Sequence, residues 1–235
     1  MFSFRETCRP DPDSPDGVRV EVAFTDATLD LQGEKDGFAL ALEAVGEATG
    51  VPFARLSQVH GADVVTVVDD PPVGPSDDVP SADALVTTRP GTGLMVRVAD
   101  CVPVVLADPA AGVIGAAHAG RLGMALDIVG RTVERMQALG AADVRAWIGP
   151  HVCGRCYEVP ESMRREVGAV VPAAMSETSW GTPALDLGAG VEAQLAAAGV
   201  TAVRVDRCTL EDESLHSFRR DGAAAGRFAG LVWIR

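Results

Sequence analysis

The spacing of apolar positions changes repeatedly along this chain and predicts a mixture of strands and helices. Continuous or alternating apolar runs predict strands at residues 18–24, 58–68, 84–88, 94–99, 102–107, 113–119, 144–149, 200–205 and 228–234. Apolar residues three to four positions apart predict helices at 36–50, 121–140, 161–170 and 189–198. The second of these helices is expected to bury one stripe that includes Leu122 and Leu126.

These elements predict an α+β or α/β protein with large sheets. The 235 residues are enough for a sizeable core, so we expect a single domain over residues 1–235. Residues 1–17 are expected to be a loop or a poorly ordered N-terminus, because residues 9–17 are rich in proline and aspartate. A similar composition predicts a second loop at 69–83.

Charge and cysteine usage narrow the range of partners and compartments. The formal net charge of −13 would repel phosphates, which argues against binding to nucleic acid or to an anionic membrane. The N-terminal residues lack the apolar core of a signal peptide, and no apolar run reaches the ~18 residues that span a bilayer. The odd number of cysteines, five, predicts reduced thiols and a cytoplasmic protein, which could be a monomer or a small homo-oligomer.

Two of the predicted strands would place a cysteine and a histidine close together. The turn at 108–112 is short enough for 102–107 and 113–119 to pair as an antiparallel hairpin, with Cys101 and His118 at its open end. His60, in the sequence SQVHG, joins them only if its own strand lies alongside. Two histidines and one cysteine are three ligands, the number that holds a catalytic zinc while a fourth position stays open.

Other interpretations of these residues remain open from the sequence. A cysteine between apolar strands is commonly a small core residue, and a histidine before a glycine is commonly a core or capping residue. Alternatively, Cys101 is a nucleophile and His118 is its base. Asp100 would then orient the pair or accept a proton.

A CxxC motif, formed by Cys153 and Cys156, lies in the second half of the chain. Without a second CxxC it is a weak zinc signal, and it predicts a loop with structural cysteines. His151, just before it, is as compatible with a solvent-facing position as with a function.

Arginines are gathered near the C-terminus at Arg219, Arg220 and Arg227. Guanidinium groups suit the recognition of phosphate or carboxylate. Ordinary ion pairs with the neighbouring Asp and Glu residues would explain the cluster equally well.

These clusters, in this order, resemble a family first named multicopper polyphenol oxidases or laccase-domain proteins. Its members are now described as purine nucleoside phosphorylases with adenosine deaminase activity. The resemblance covers residues ~50–235, and the order and spacing of its pieces are more specific than any one piece. The matching pieces are SQVHG (57–61), DALVT (83–87), ADCVPVVLAD (99–108), GAAHAG (115–120), IGP (148–150), CYEV (156–159), LDL (185–187), CT (208–209), SFRRDG (217–222) and GR (226–227).

The resemblance implies mixed β-sheets packed as a sandwich and flanked by helices. It also implies one zinc ion, phosphorolysis of adenosine, inosine and methylthioadenosine, and hydrolytic deamination of adenosine. A purine nucleoside and phosphate are then the expected partners, and cations are needed around the phosphate. The implied or candidate residues are His60, Cys101 and His118 for the metal, Arg121, Arg219 and Arg220 for substrate and phosphate, and Asp100 and Cys101 for catalysis.

Two stretches depart from the family pattern. The family commonly has HAGWRG where this chain has HAGRLG, so Arg121 stands at the tryptophan position and Leu122 at the arginine position. A helical residue shifted by one position points about 100° away. The family's Arg-Gly-Gly-Val-Ser stretch is replaced in residues 23–37, AFTDATLDLQGEKDG, so substrate choice is expected to differ if this segment shapes the pocket.

Three other functions stay open on the sequence alone. The family's older name suggests a copper-dependent phenol oxidase, with copper in place of zinc, although multicopper sites need more histidines than the four in this chain. A cysteine hydrolase acting on cell-wall precursors would use Cys101 as its nucleophile. The altered segment at 23–37 would also suit a metal-stabilised binding protein without catalytic activity.

Overall fold

The computed structural model describes residues 1–10, 17–33, 37–71, 74–75 and 78–235. The strands in these ranges are β1 (Phe2–Cys8), β2 (Val20–Thr25), β3 (Phe53–Ala54), β4 (Val64–Thr66), β5 (Ala84–Thr87), β6 (Gly93–Val98), β7 (Val102–Asp108), β8 (Val113–Ala119), β9 (Arg145–Ile148), β10 (Met175–Glu177), β11 (Pro183–Leu185), β12 (Thr201–Arg204) and β13 (Phe228–Ile234). The α-helices are α1 (Phe38–Thr49), α2 (Arg121–Ala125), α3 (Ile128–Ala138), α4 (Glu161–Val170), α5 (Leu187–Ala197) and α6 (Phe218–Asp221).

Most strands belong to two large sheets, each of which joins strands that are distant in sequence. The first has the order β1-β2-β13-β6-β3 and is antiparallel except for the β3–β6 pair. The second has the order β12-β9-β7-β8-β5-β4, with parallel pairs at its two edges and antiparallel pairs between them. Both sheets are therefore mixed, as the predicted fold class requires.

The two large sheets pack face to face, and helices cover their outer faces. Phe24 and Trp147 are fully buried in the cluster between the sheets. Phe38 of α1 packs on the outer face of the five-stranded sheet, whereas Val133 of α3 and Val191 of α5 pack on the six-stranded sheet. Full burial of one such side chain contributes about 1.5–3 kcal/mol. This order of layers confirms the α+β sandwich flanked by helices within a single domain.

The central hairpin of the six-stranded sheet is buried along both of its strands. Alternate residues of β7 face opposite layers: Val104 packs toward the helices and Val105 toward the other sheet. The register pairs Pro103 with His118, which confirms the hairpin predicted from the sequence. Because packing on both faces holds these strands, the residues at the open end of the hairpin have a rigid base.

The N-terminus differs from the predicted loop over residues 1–17. Strand β1 is an edge strand that pairs antiparallel with β2, and the rings of Phe4 and Phe24 lie 6.0 Å apart. The sequence FSFRETC alternates in polarity, and the proline- and aspartate-rich run that indicated a loop begins only after it. Residues 11–16 lie outside the described part of the chain.

The single helix predicted at 121–140 is two helices, α2 and α3, which are separated at Asp127. This residue has φ 60°, and its side chain accepts a hydrogen bond from the Gly130 amide, so it caps the start of α3. Leu122 and Leu126 lie before the break and are 48% and 52% exposed, not buried as predicted. The buried stripe is therefore confined to α3, where it contains Val129, Val133 and Met136.

The strand predicted at 58–68 is also shorter than expected, because regular pairing with β5 covers only Val64–Thr66. Residues 58–63 instead form an irregular segment, which carries His60. The predicted helix at 36–50 is confirmed from residue 38 onward, and residue 36 lies outside the described part of the chain. In the described ranges, no helix combines the length and apolar character needed to cross a membrane.

Candidate metal centre

The open end of the central hairpin brings three metal-ligand residues together. Cys101 directly precedes β7, and His118 is the last residue but one of β8. His60 arrives from the segment between β3 and β4, and its Nε2 atom lies 3.8 Å from Cys101 Sγ. One ligand atom from each residue lies within 4.8 Å of the other two. The third ligand, which the sequence could place only conditionally, is thus next to the predicted pair.

Asp83 organises both histidines, although it is not among the residues predicted for the site. Its fully buried carboxylate accepts a hydrogen bond from His118 Nδ1 at 2.8 Å. The same carboxylate accepts from the backbone amides of Val59, His60 and Gly61 at 3.3, 3.0 and 2.6 Å. Because Nδ1 of His118 is engaged, its Nε2 atom is left to face a metal, as in carboxylate–histidine–metal arrangements. The sequence feature that could have indicated this role is the position of Asp83, a single carboxylate directly before the buried strand β5.

Backbone conformation at the site is unusual for residues other than glycine. His60 has φ 61° and Asp100 has φ 86°, conformations that L-residues adopt only when the surroundings compensate. Gly120 packs directly against two of the candidate ligands. An added Cβ at this position would lie 2.7 Å from His60 Cδ2 and 3.2 Å from Cys101 Sγ. Residue 120 must therefore lack a side chain for the ligands to approach each other.

The ligands also tune one another electrostatically. Burial raises the pKa of the Cys101 thiol, but hydrogen bonds and charges from His118 and His60 outweigh burial and lower it to about 6. Burial lowers the pKa of His118, whereas its bonds to Asp83 and Cys101 raise it to about 9. Without a metal, this combination favours a thiolate beside an imidazolium. A thiolate is the form in which cysteine binds metals and attacks electrophiles.

In the metal-free protein, alkylation of Cys101 by iodoacetamide is expected to accelerate as the pH rises through about 6. An ordinary thiol would show the same rise near pH 8.5. The measurement is the rate of modification of the Cys101 peptide by mass spectrometry. Cys8 is an internal control, because it is buried and its pKa is raised chiefly by that burial. An inflection for Cys101 near pH 8.5 would contradict the electrostatic interpretation.

Asp100 joins the hairpin to the C-terminal segment. Its Oδ1 atom accepts hydrogen bonds from the hydroxyls of Thr209 and Ser217 at 2.6 and 2.7 Å, and its Oδ2 accepts from the Arg219 amide at 2.6 Å. Its carbonyl accepts from the Val152 amide at 3.0 Å. The role of orienting His118, one of the two suggested for Asp100, falls to another carboxylate, Asp83.

A cavity of about 820 Å³ opens in front of the three ligands. This volume lies within the range of small-molecule sites. Asp100 and the three candidate ligands line one part of it, whereas Tyr157 and the 54% exposed Phe218 provide aromatic surface. The described residues that line it are Gln32, Gly33, Ser57, Gln58, His60, Arg97, Val98, Ala99, Asp100, Cys101, His118, Tyr157, Phe218, Arg219 and Arg227.

Three arginines are among the described residues that line this cavity, and two of them, Arg219 and Arg227, belong to the C-terminal cluster singled out in the sequence. Arg219 stacks over the Tyr157 ring at 4.9 Å and donates to the Glu158 carbonyl at 3.0 Å. Arg97 and Arg227 are the other two. Arg97 donates to the carbonyls of residues 31 and 56, and burial, together with the charges of neighbouring arginines, lowers its pKa. The sequence feature that could have indicated Arg97 is its position as the one charged residue of the apolar strand β6.

The other two predicted arginines, Arg121 and Arg220, are not among the described residues that line the cavity. Arg220 donates to the carbonyls of Thr209 and Leu215 at 2.8 and 2.7 Å and pairs with Asp221 at 2.9 Å. It therefore braces the segment that carries Arg219. Arg121 begins α2, next to Gly120.

The remaining two histidines do not join the candidate metal ligands. His151 is buried, not solvent-facing, and its Nδ1 atom is bonded to the Gly149 carbonyl at 2.7 Å. The Nε2 atom of His216 is bonded to the Leu29 carbonyl at 3.0 Å. Of the four histidines in the chain, two therefore face the candidate centre.

A family model described as multi-copper polyphenol oxidoreductase laccase matches residues 28–235. The chain belongs to this laccase family. A purine nucleoside phosphorylase of Streptomyces griseus is 55% identical over 182 residues, which are 76% of this chain and 73% of that protein. One from Streptomyces coelicolor is 52% identical over 198 residues, 82% of this chain and 80% of that protein. The crystal structure of YlmD from Geobacillus stearothermophilus superposes with a TM-score of 0.81 at 27% identity, covering 97% of this chain and 100% of that one.

The segment that departs most from the laccase-family pattern contributes to the cavity. Gln32 and Gly33, within the altered stretch 23–37, both line it, and residues 34–36 lie outside the described part of the chain. The Oε1 atom of Gln32 is buried and has no hydrogen-bond partner among the described residues.

Proposed function

We propose that this protein is a zinc-dependent purine nucleoside phosphorylase with adenosine deaminase activity, acting on adenosine, inosine and methylthioadenosine. The observation that carries the proposal is the meeting of two features in one cavity. The candidate metal ligands line one part of it, and Arg97, Arg219 and Arg227 line the same space. The names of the Streptomyces relatives support the same reaction.

Phosphate is the substrate that the three arginines suit. Their positive charges lie in a cavity of a protein whose net charge is −13, so they provide a local site for an anion that the rest of the surface would repel. In phosphorolysis a phosphate oxygen forms a bond to the sugar carbon C1′ while the bond from C1′ to the purine nitrogen breaks. The departing base takes the electron pair and a proton. The arginines hold the phosphate for that attack.

Recognition of the purine is assigned to the aromatic and amide groups of the cavity. Tyr157 and Phe218 offer flat apolar faces on which a planar base can stack. Gln32 also lines the cavity, and a side-chain amide of this kind can donate or accept hydrogen bonds at the polar edge of a base. Asp100 enters as a positioning residue, since its hydrogen bonds hold the segment that carries Arg219.

Zinc fits the donor set of the candidate centre. His60, Cys101 and His118 provide two imidazoles and a thiolate, and Asp83 supplies the outer hydrogen bond that metal-bound histidines commonly have. When bound, zinc supplies Lewis-acid chemistry and can lower the pKa of a water molecule, which is what hydrolytic deamination of adenosine requires. Copper is the less suitable metal in this proposal, because only two of the four histidines face the centre.

A cysteine hydrolase is the second candidate, and one specific observation favours it. Cys101, His118 and Asp83 are arranged as nucleophile, base and orienting carboxylate, and the pKa of the thiol is lowered to about 6 by the two histidines despite burial. His60 does not belong to that triad. Its approach to the same sulfur therefore favours the metal interpretation.

The deciding experiment incubates metal-quantified protein with adenosine, inosine and methylthioadenosine, with and without phosphate. Release of free base that requires phosphate supports phosphorolysis, and conversion of adenosine to inosine supports deamination. Activity that survives chelation but is lost on thiol alkylation would favour the hydrolase. Copper-dependent oxygen uptake with phenols would favour the oxidase. Retention of nucleoside without any turnover would indicate a binding protein.

Replacement of Arg219 by glutamine is expected to raise the KM for phosphate by about 10- to 100-fold, since a charged hydrogen-bond donor is lost. The backbone amide that holds Asp100 remains in this variant. Arg165→Gln is the matched control, because Arg165 lies on the exposed face of α4 and pairs with Glu161. Initial rates at varied phosphate provide the measurement. An unchanged KM for phosphate in R219Q would remove this arginine from the proposed phosphate site.

A further inference from the structure

A second group of metal-type ligands lies outside the lining of the cavity, where two turns meet. Cys153 and Cys156 belong to the turn that follows β9, and Cys208 and Glu211 belong to the turn region between β12 and α6. One ligand atom from each of these four residues lies within 4.8 Å of the other three. The third thiol comes from a distant part of the chain, so the CxxC motif alone could not reveal it.

The spacing suits a tetrahedral ion. With a zinc–sulfur distance of about 2.3 Å, two thiolates on one tetrahedral zinc lie about 3.8 Å apart. The upper limit of 4.8 Å observed among the ligand atoms is within about 1 Å of that value. Small side-chain rotations would therefore bring all four atoms to bonding distance.

Backbone amides surround the sulfur atom of Cys208. The Cys208 sulfur faces the backbone amide of Cys153 at 3.4 Å and also those of Leu210 and Glu211. Burial raises the pKa of the Cys208 thiol and these amides offset that rise only in part, so the proton would leave as zinc binds. On the other turn, the amides of Cys156 and Tyr157 both donate to the Cys153 carbonyl, at 2.9 and 3.0 Å, which directs the two cysteine side chains of the CxxC to one side.

We propose that Cys153, Cys156, Cys208 and Glu211 bind a second zinc ion in a closed, four-ligand structural site. Three thiolates and one carboxylate are ligands that zinc accepts, and thiolate-rich sites exclude magnesium and calcium. All five cysteines of the chain are free, so the thiols are available to a metal. The proposal does not depend on the proposed reaction, since none of these four residues is a ligand of the first centre.

Such an ion would stabilise the positions of residues that line the cavity. The two turns already meet through a bridge between His151 and Cys208, in which the Thr209 amide donates to the His151 carbonyl at 3.0 Å. Thr209 in turn holds Asp100, and Tyr157, directly after Cys156, lines the cavity. A zinc ion at the junction would therefore hold both of these residues in place without contacting substrate.

The test is zinc stoichiometry of protein prepared with zinc and without chelators. We expect two zinc ions per chain in the wild type, one in Cys101→Ala and one in Cys156→Ala. Cys8→Ala is the matched control and should keep both ions, because Cys8 is a buried cysteine outside either group of ligands. Loading of Cys101→Ala with cobalt(II) should in addition produce near-ultraviolet thiolate-to-metal absorption, which only the second site can supply in that variant.

Three results would overturn the second site. The first is a Cys101→Ala protein without zinc, and the second is a cobalt-loaded Cys101→Ala protein without thiolate absorption. The third is a mass lower by two hydrogens, which would show that two of the clustered thiols form a disulfide instead. These measurements do not need Cys156→Ala to fold. They also leave the first centre to be judged separately, by the zinc that Cys101→Ala loses and by turnover.

Discussion

Cys101→Ala is expected to remove one zinc ion per chain and to lower the rate of adenosine deamination by about a thousandfold or more. The sulfur is the one thiolate of the first centre, and it lies 3.8 Å from His60 Nε2 at the wall of the cavity. Two imidazoles alone form a much weaker zinc site than two imidazoles and a thiolate. The measurements are metal content and the initial rate at which adenosine is converted to inosine. Cys8→Ala should change neither.

His60→Ala separates the metal interpretation from the nucleophile interpretation of the same cysteine. If Cys101 binds zinc, loss of His60 should lower metal content and turnover together, much as Cys101→Ala does. If Cys101 is a nucleophile activated by His118 and Asp83, His60→Ala should keep most of the activity. Full zinc occupancy in Cys101→Ala at the first centre would show that the sulfur is not a ligand.

The part of this centre that could be predicted from sequence is the part that depends on local pairing. A five-residue turn between two apolar runs leaves little choice but a hairpin, and a hairpin places its two open ends together. Cys101 and His118 could therefore be paired from the residues alone. His60 reaches them through an irregular segment with a positive φ, held by a carboxylate further along the chain. That arrangement depends on tertiary contacts, so family resemblance was needed to include it.

The arginines show the limit of arguments from sequence proximity. Arg219 and Arg220 are neighbours, yet their side chains serve different purposes, because successive residues of a helical turn point about 100° apart. Arg219 faces the cavity, whereas Arg220 bonds to carbonyls of its own segment. Arg97 is the opposite case, because it is distant from the other arginines in sequence but lines the same cavity. It is a charged residue within an apolar strand, and the pairing of that strand in the sheet places it at the cavity.

The wrong predictions of secondary structure extended a local sequence pattern beyond the residues that adopt the corresponding structure. The proline-rich run after residue 8 led to a loop prediction that included the alternating strand β1. A continuous helical pattern at 121–140 hid the break at Asp127, whose side chain bonds the Gly130 amide in place of a helical hydrogen bond. In both places a short polar signal competes with apolar periodicity, and the tertiary packing decides.

The second large effect is expected at Asp83. Asp83→Ala should lower the free energy of unfolding of the metal-free protein by about 3–5 kcal/mol, because removing one partner of a buried ion pair leaves the other uncompensated. The carboxylate is fully buried and receives hydrogen bonds from His118 and from the amides of Val59, His60 and Gly61. Zinc affinity at the first centre should also fall by about 10- to 100-fold.

Asp63→Ala is the matched control for this variant. Asp63 lies on the same irregular segment but is exposed, so its removal should change the unfolding free energy by less than about 0.5 kcal/mol. Urea denaturation of both variants without metal measures the difference. Equal stabilities of Asp83→Ala and Asp63→Ala would show that the buried carboxylate does not organise the site.

The pH dependence gives Asp83 a signature that a simple packing defect lacks. Burial raises the pKa of Asp83. The hydrogen bonds from His118 and from the backbone amides of Gly61 and His60 lower it by more than burial raises it, so the pKa in the folded protein lies below the ordinary value. Its stabilising contribution is therefore present above the unfolded carboxyl pKa of about 4 and is lost as the pH falls through the lower folded value. The difference in stability between wild type and Asp83→Ala should shrink over that acidic range. A difference that stays constant with pH would mean that the side chain contributes by its volume and not by its charge.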